Sequence, residues 1–348
     1  MFKENFAGGE ASGAYQKEVR EDQGRRLTGS QASGELLFLE PVLKENIWGG
    51  NRLVTEFPYV SQSTNIGECW GISAHPHGDC RIREGRFAGM ALSRLYEEHR
   101  ELFGNITAKQ FPLLVKIIDA RDKLSIQVHP DDTYAAIHEN GSLGKNECWY
   151  IMDCPENTSL IIGHNARTKE ELVSMIEAGS YDKLLRYVPV KKGDFVSIEP
   201  GTVHSVTEGV MLLEIQQSSD ITYRVYDYGR LTDGRPRPLH VARSMDVINV
   251  PDRTGEKGIV HTQEFPTDRL NLLTQCKYYK VWKLSLKSRI AFEQEYPFLL
   301  VSVLKGEGTI NDRQVSKGTH LIIPSGFGQV EMQGDMEVIL STQTIYHG

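Results

Sequence analysis

The stretch that decides the fold runs from Lys192 to His204 and reads KGDFVSIEPGTVH. A short apolar run, a Pro-Gly pair and a second run that ends on histidine predict two strands joined by a tight turn. A matching stretch runs from Lys317 to Gln329 and reads KGTHLIIPSGFGQ, with glutamine in the last place. The copies differ by one residue in the position of the proline. The chain therefore contains an internal repeat of strands and turns.

The spacing of glycine, proline and histidine in this repeat resembles the second motif of the cupin superfamily. The resemblance implies small jelly-roll barrels that hold a metal ion inside. His204 ends the first copy, whereas Gln329 ends the second, so we expect a metal site in the first barrel and none in the second. From Leu36 onward, short apolar runs alternate with Gly, Pro and Asp. The predicted fold class is therefore mainly β, with two cupin barrels and a few added helices.

Changes in composition along the chain predict three parts. Residues 1–35 are polar and rich in Gly, Ser, Glu and Arg, which predicts a flexible arm. Residues 36–250 form the predicted catalytic cupin domain, with helical spacing of apolar residues over 87–103 and 168–188. Residues 251–348 form the predicted degenerate cupin domain, whose expected task is to pack against the first.

Composition and charge exclude several classes of protein. The 348 residues include 39 basic and 46 acidic side chains, a net charge of -7, with no Lys/Arg block that would favour nucleic acid. The apolar runs are far shorter than the roughly 20 residues of a membrane-spanning helix. The first residues lack a secretory signal, and the five cysteines form no CxxC pair. We therefore expect a cytoplasmic protein with free thiols.

Four polar residues have the spacing of a metal site. Alternation in the segment 122–130 predicts that Gln127 and His129 share one strand face, and Glu147 lies on the next predicted strand. With His204 they offer an amide oxygen, two imidazoles and a carboxylate. This donor set suits one Zn²⁺ or another divalent first-row ion per chain. Each residue alone would more often be an ordinary hydrogen-bonded polar group.

A second pair of histidines, His75 and His77, is also a candidate. Pro76 lies between them and Gly78 follows, which indicates a loop or an edge strand. We rank this pair second as metal ligands.

Five stretches are similar to one known family, the type I phosphomannose isomerases, and particularly to its short bacterial branch. They read LKENIWGG (43–50), GECWGISAHP (67–76), FPLLVKIIDA (111–120), LSIQVHPD (124–131) and TYRVYDY (222–228). The resemblance extends from about Leu36 to the end of the chain. It implies a zinc-dependent aldose-ketose isomerase that interconverts D-mannose 6-phosphate and D-fructose 6-phosphate through an enediol.

The resemblance also implies roles for single residues. Gln127, His129, Glu147 and His204 correspond to the metal ligands, and Arg224 corresponds to the active-site arginine. An ion pair with Asp227 or Asp220 is the ordinary structural explanation for such an arginine.

Lys145 stands where longer relatives carry a lysine two residues before the glutamate ligand, and Gly144 stands where they tend to carry a histidine. Lys145 can serve as the catalytic base or as a cation for a hydroxyl or phosphate, and both interpretations stay open. Lys116, Arg230 and Arg237 are further candidates for holding the phosphate, because an acidic protein needs local cations for such a substrate.

Two other functions are compatible with these motifs. One is a non-catalytic or differently specific cupin that binds a sugar phosphate. The other is an iron cupin dioxygenase, which Gln127 disfavours because three histidines and a glutamate would be more natural ligands. The expected partner is a phosphorylated hexose, without nucleic acid or membrane, and the expected state is a monomer or a homodimer. Exact sugar specificity and the catalytic base are beyond what residue spacing predicts.

Overall fold

The computed structural model describes residues 34–232, 234–254 and 258–344. The predicted arm lies outside these residues except for Gly34 and Glu35. The strands are β1 (Leu37–Glu40), β2 (Val42–Gly50), β3 (Ile66–Ile72), β4 (Arg81–Ile82), β5 (Leu113–Asp119), β6 (Ile126–Val128), β7 (Glu147–Asp153), β8 (Ser159–His164), β9 (Leu185–Pro189), β10 (Asp194–Ile198), β11 (His204–Ser205), β12 (Met211–Gln217), β13 (Tyr223–Tyr226), β14 (Leu231–Thr232), β15 (Arg235–Pro236), β16 (Ile259–His261), β17 (Asn271–Gln275), β18 (Tyr279–Leu286), β19 (Arg289–Gln294), β20 (Leu299–Ile310), β21 (Arg313–Ser316), β22 (His320–Ile323) and β23 (Gly328–Gln343).

The helices are short and few. They are α1 (Arg52–Thr55), α2 (Leu92–Glu98), α3 (Asp132–His138), α4 (Lys169–Glu177), α5 (Tyr181–Leu184) and α6 (Val241–Val247), with a 3₁₀ turn over Arg100–Phe103. The predicted mainly β fold class is confirmed. Among the described residues, none of these helices has the length and apolar character needed to cross a membrane.

Two sheets enclose the first core. A seven-stranded sheet has the order β16-β10-β7-β12-β5-β3-β2, and a five-stranded sheet has the order β13-β6-β11-β8-β9. Apolar side chains from both sheets pack together between them, including Trp149, Ile151, Leu160, Ile162 and Val196. The two sheets thus form the walls of a sandwich whose polar end can hold a site.

Alternation along the strands of the seven-stranded sheet gives it a second buried face. Trp149 points into the first core, whereas its neighbours Cys148 and Tyr150 belong to a different apolar cluster. That cluster also contains Tyr279 and Leu300, which come from a nine-stranded sheet. The seven-stranded sheet is therefore buried on both sides.

The nine-stranded sheet follows the path β17-β18-β23-β20-β22-β1-β4, with β19 and β21 joined to it at β23 and β20. Strand β1 pairs with β22, although it belongs to the start of the predicted catalytic domain. Conversely, β16 pairs with β10 in the seven-stranded sheet. Each half of the chain thus completes a sheet of the other half, and the domain boundary at residue 250 stays a prediction.

The internal repeat has matching backbone geometry. Gly193 and Gly318 have φ of +85° and +89°, and Gly201 and Gly326 have φ of +83° and +67°. Glycine is favoured at all four positions because other residues adopt this left-handed region at a cost. In the first copy the turn leads into β11, which begins at His204, while Gln329 in β23 of the second copy is exposed.

The two predicted helical segments were too long. Helix α2 begins only at Leu92, and the segment 168–188 divides into α4, α5 and strand β9. The apolar residues Leu185 and Val188 pair with His164 and Leu160 of β8 rather than continuing a helix. Sheet pairing overrides the helical spacing at this end of the segment.

Candidate active site

Three neighbouring strands of the five-stranded sheet bring three predicted site residues into one row. Gln127 in β6 lies opposite His204 in β11 on one side and opposite Arg224 in β13 on the other. His129 follows β6 directly, two residues after Gln127. As the alternation over 122–130 predicts, the side chains of Gln127 and His129 lie on the same face of the chain.

Glu147 completes the group from the seven-stranded sheet. One ligand atom each of His129, Glu147 and His204 lies within 4.8 Å of the others, and all three residues are buried. His204 Nε2 lies 3.3 Å from Glu147 Oε1, and His129 Nε2 lies 3.6 Å from Glu147 Oε2. The side chain of Gln127 also reaches this group. Its amide nitrogen, in the amide orientation of this structure, lies 3.3 Å from His204 Nε2.

Backbone carbonyls set the orientation of both imidazoles. His129 Nδ1 donates to the carbonyl of Ile221 at 2.7 Å, and His204 Nδ1 donates to that of Thr202 at 2.9 Å. These bonds leave the Nε2 lone pairs directed into the group, as a metal-binding histidine requires. Burial lowers the pKa of His204 to about 4, and burial together with Lys145 holds the pKa of His129 well below its usual range. Both rings are therefore neutral near pH 7.

Glu147 lacks partners that would fully balance its charge. Lys145 Nζ lies 2.7 Å from Glu147 Oε2 and 3.1 Å from His129 Nε2, yet Glu147 Oε1 accepts no hydrogen bond from the residues that the structure describes. Burial and the nearby carboxylate of Glu214 raise the pKa of Glu147. A divalent cation would offset both effects, so the donor set of two Nε2 atoms, a carboxylate and an amide fits such an ion.

A row of side chains across the seven-stranded sheet extends the site. Glu214 in β12 pairs with Trp149 in β7 on one side and with Lys116 in β5 on the other. Lys116 in turn pairs with Trp70 in β3. Trp149 Nε1 donates to Glu214 Oε1 at 3.1 Å, and Lys116 Nζ lies 2.8 Å from Glu214 Oε2. Burial would raise the pKa of Glu214, but Lys116 and Lys145 together lower it.

Glu214 is the site residue that our sequence reasoning missed. It stands in MLLEIQQ (211–217), where a carboxylate interrupts a strand that is otherwise apolar up to Ile215. A buried charge in such a strand requires a partner, and this pattern could have identified it.

A cavity of about 110 Å³ opens beside the group and is lined by Gln127, Lys145, Glu214, Arg224 and Arg237. Lys116 also lines the cavity. Burial alone would lower the pKa of Lys116, but the Glu214 carboxylate raises it. The cavity is thus lined by the predicted site residues Gln127, Lys145, Arg224, Arg237 and Lys116, whereas His129, Glu147, His204 and Arg230 do not line it.

Arg224 differs from the two other arginines. Arg237 binds both carboxylate oxygens of Asp227 at 2.7 and 2.6 Å, and Arg230 Nη2 binds Asp227 Oδ1 at 2.5 Å. Within the described part of the chain, Arg224 makes no salt bridge, and its Nε has no hydrogen-bond partner. Burial and Arg237 lower the pKa of Arg224. The guanidinium is therefore available for an anion.

His75 and His77 form a separate cluster with Asp220 rather than joining the first group. His75 Nδ1 accepts a hydrogen bond of 3.2 Å from the backbone N–H of His77. A neutral His75 then carries its proton on Nε2, which lies 3.5 Å from Asp220. A protonated Nε2 cannot bind a metal ion, so this cluster fits an ion less well than the first.

Comparison with known proteins identifies relatives over most of the chain. Residues 36–156 match the family Phosphomannose isomerase type I, catalytic domain, and residues 268–343 match Mannose-6-phosphate isomerase, cupin domain. Mannose-6-phosphate isomerase ManA from Bacillus subtilis is 46% identical over 312 residues, which are 88% of this chain and 98% of the relative.

Solved structures give the same result at the level of the fold. The crystal structure of the mannose 6-phosphate isomerase from Bacillus subtilis superposes with a TM-score of 0.82 and 41% identity, covering 88% of this chain and 99% of that one. A zinc-bound mannose 6-phosphate isomerase superposes with a TM-score of 0.72 at 14% identity, covering 89% and 100%. The identity with ManA along nearly its whole length establishes the relationship, and the chain belongs to the type I phosphomannose isomerase family.

Proposed function

We propose that this protein interconverts D-mannose 6-phosphate and D-fructose 6-phosphate. The observation that carries the proposal is the convergence of His129, Glu147 and His204 beside Gln127, which lines a cavity together with Lys145 and Arg224, in a chain 46% identical to a mannose-6-phosphate isomerase. The expected partner is a phosphorylated hexose. The cytoplasm is the proposed location, and the five free cysteines are compatible with it.

We propose that one Zn²⁺ is held by His129, Glu147, His204 and Gln127. The support is the chemistry of the donors, which include no thiolate, and the zinc bound to the structural relative. Gln127 contributes its amide oxygen in this assignment, which requires the opposite amide orientation from the one that faces His204. Zinc bound there would supply a Lewis acid for negative charge on the sugar oxygens.

The reaction requires a proton to leave C2 of the aldose and to reach C1, while a hydroxyl proton moves between the oxygens on these carbons. The negative charge of the enediol stage develops on the oxygens, so fixed positive groups at the cavity lower the barrier. Arg224 is proposed to face this charge, because its guanidinium is half-buried and makes no salt bridge with other described residues.

Lys145 is proposed to carry the proton. Its Nζ lines the cavity and lies within 3.1 Å of two proposed metal ligands, which places it beside the reacting carbons of any sugar bound there. Lys145→Arg tests this role, since arginine keeps the charge but does not release a proton near pH 7. A loss of turnover of 100-fold or more in Lys145→Arg supports proton transfer, whereas a loss below about fivefold supports the alternative role of a fixed cation.

Lys116, Arg230 and Arg237 stay predictions for phosphate binding. Arg237 is the strongest of the three, since it lines the cavity while Asp227 holds its guanidinium in place. The Glu214 carboxylate forms an ion pair with Lys116. This pairing favours a role for Lys116 in the row of side chains across the seven-stranded sheet.

A coupled assay tests the proposed function. Fructose 6-phosphate formation from mannose 6-phosphate would be followed in purified protein of known zinc content, then after chelation and after return of Zn²⁺. We expect activity to vanish with the chelator and to return with zinc. Protein that holds zinc but turns over no mannose 6-phosphate would contradict the proposal and favour a sugar-phosphate-binding cupin.

A further inference from the structure

The short segment Lys145-Asn146-Glu147 carries two proposed site residues that point into the sandwich and one residue between them that points out. Lys145 and Asn146 directly precede β7, and their side chains contact different sides of the seven-stranded sheet, so a shift of the backbone at Asn146 also moves its two neighbours. Asn146 is buried, and its side chain lies on the side of the nine-stranded sheet. Whatever holds Asn146 therefore also holds Lys145 and Glu147.

The backbone of this segment is fixed from within the first half of the chain. Asn146 N–H donates to Gln217 Oε1 at 3.0 Å, and the Asn146 carbonyl accepts from Gln217 N–H at 3.1 Å. Gln217 Nε2 in turn donates to Asp132 at 2.8 Å, and Asp132 also accepts from Gly144 N–H at 3.0 Å. These bonds set the path of the backbone, but none of them involves the Asn146 side chain.

The side chain is held from the other half of the chain. Tyr279 at the start of β18 donates from its hydroxyl to Asn146 Oδ1 at 2.5 Å, and Tyr279 is only 1% exposed. Its ring belongs to the apolar cluster between the seven-stranded and nine-stranded sheets. The hydroxyl is therefore held in place by a buried ring that belongs to the second half of the chain.

We infer that Tyr279 is a positioning residue, which acts through Asn146 to keep Lys145 and Glu147 in the arrangement that binds zinc and turns over substrate. The inference rests on the proposed function. It gives the second half of the chain a role in the chemistry beyond packing. Partners of metal ligands change metal affinity by about 10- to 100-fold when they are removed, and Tyr279 is one residue further away.

The test uses Tyr279→Phe, which removes the hydroxyl and keeps the ring in the core. We expect Zn²⁺ affinity, measured by competition with a chromophoric chelator, to fall by about threefold to tenfold, and kcat to fall with little change in KM. Tyr296→Phe is the matched control, because Tyr296 lies in the same half and its hydroxyl makes no hydrogen bond with other described residues. The control should leave both quantities within about twofold of the unchanged protein.

A double-mutant cycle separates this role from a general loss of stability. If Tyr279 acts through Asn146, adding Tyr279→Phe to Asn146→Ala should change zinc affinity no further. Additive effects, or a Tyr279→Phe protein whose zinc affinity and kcat equal those of the control, would overturn the inference. Zinc affinity is measured without substrate, so it remains informative even if mannose 6-phosphate is not turned over.

Discussion

At the scale of single residues, the site depends on side chains that are costly to bury. The carboxylates of Glu147 and Glu214 are buried, and the buried cations Lys116 and Lys145 lie beside them. Glu214 accepts a hydrogen bond from Trp149 and lies within 4.0 Å of both Lys116 and Lys145, whereas Lys145 is the one lysine beside Glu147 among the described residues. A divalent cation is therefore expected at Glu147, the carboxylate with fewer partners to offset its desolvation.

Removal of that charge should release the metal. Glu147→Gln keeps the shape of the side chain but loses the anionic ligand, so we expect Zn²⁺ affinity to fall by at least about 100-fold and turnover to fall with it. Chelator competition and the coupled assay measure the two effects. The exposed Glu208 provides the control Glu208→Gln, which should change neither. Full activity of Glu147→Gln without bound zinc would contradict the assignment.

Arg224 should affect catalysis without affecting the metal. Arg224→Ala removes a proposed partner of the developing negative charge, so we expect kcat/KM to fall by about 100- to 1,000-fold, in line with the loss of one oxyanion donor. Zinc affinity should stay within about twofold. Arg289→Ala, in an exposed pair with Glu331, is the control and should leave kcat/KM unchanged. Equal kinetics for the two variants would show that Arg224 is structural.

At the scale of the element, the two copies of the repeat share one backbone plan but differ in their surroundings. A Cβ on Gly201 would lie 2.5 Å from Asn249 Nδ2 and 2.7 Å from the Val247 carbonyl, whereas a Cβ on Gly326 would meet no atom within 4 Å. Gly201 N–H also donates to the carbonyl of His129 at 2.9 Å. The first turn is thus built into the site, while the second is open to solvent.

Alanine at the two equivalent glycines should therefore have different effects. Gly326→Ala should lower the free energy of unfolding by about 1 to 2 kcal/mol, the cost of a left-handed conformation alone. Gly201→Ala adds steric overlap, so we expect a loss of about 3 kcal/mol or more and weaker zinc binding. Chemical denaturation and chelator competition measure both. Similar losses in the two variants would contradict this account of the turns.

Strand β22 contains a histidine that should make stability depend on pH. His320 is fully buried between Tyr59 and Ser302, and burial lowers its pKa to about 4. Below about pH 6.5 the unfolded chain binds a proton at this residue and the folded chain does not, so the free energy of unfolding falls as the pH falls from about 6.5 to about 4.

The effect of His320 reaches about 3 kcal/mol at the lower end of this pH range, because its pKa falls from the ordinary histidine value to about 4 on folding. His320→Gln should lower stability at pH 7 but should also flatten the dependence on pH by about that amount. Denaturation of the zinc-free protein at several pH values measures the slope. The exposed His138 provides the control His138→Gln, which should retain the full slope. Parallel curves for all three proteins would contradict the prediction.

At the scale of the whole molecule, the two halves of the chain share one core. Phe298, just before β20, packs against Phe103 and Phe111 with ring centroids 5.9 and 5.5 Å apart. Strand β1 in the nine-stranded sheet and strand β16 in the seven-stranded sheet tie the halves together through backbone hydrogen bonds. Neither half can separate without exposing apolar surface and unpaired strand edges.

We therefore expect residues 34–344 to unfold in one cooperative transition. Phe298→Ala should lower the free energy of unfolding by about 3 to 5 kcal/mol and keep the single transition. Calorimetry of the zinc-free protein measures both. Phe292→Ala, at a half-buried position of β19, should cost clearly less. Two separate transitions, with only one of them lowered by Phe298→Ala, would contradict a shared core.

The sequence by itself determined the mainly β class and the repeated turn, and it predicted the side chains of the proposed metal site. These features follow from local rules: strand alternation places Gln127 and His129 on one face, and the left-handed backbone at positions 193, 201, 318 and 326 favours the glycines found there. The same rules misassigned the end of the segment 168–188, where pairing of β9 with β8 outweighs helical spacing.

Only the tertiary structure decided which charges are paired. Glu214 lies next to Lys116 through the register of β12 with β5. Asp227 forms ion pairs with Arg230 and Arg237, while Arg224 stays unpaired among the described residues. Tyr279 reaches Asn146 across 133 positions of the chain. Such contacts depend on how sheets stack and align, and the energy of a buried charge depends on neighbours that no local pattern specifies.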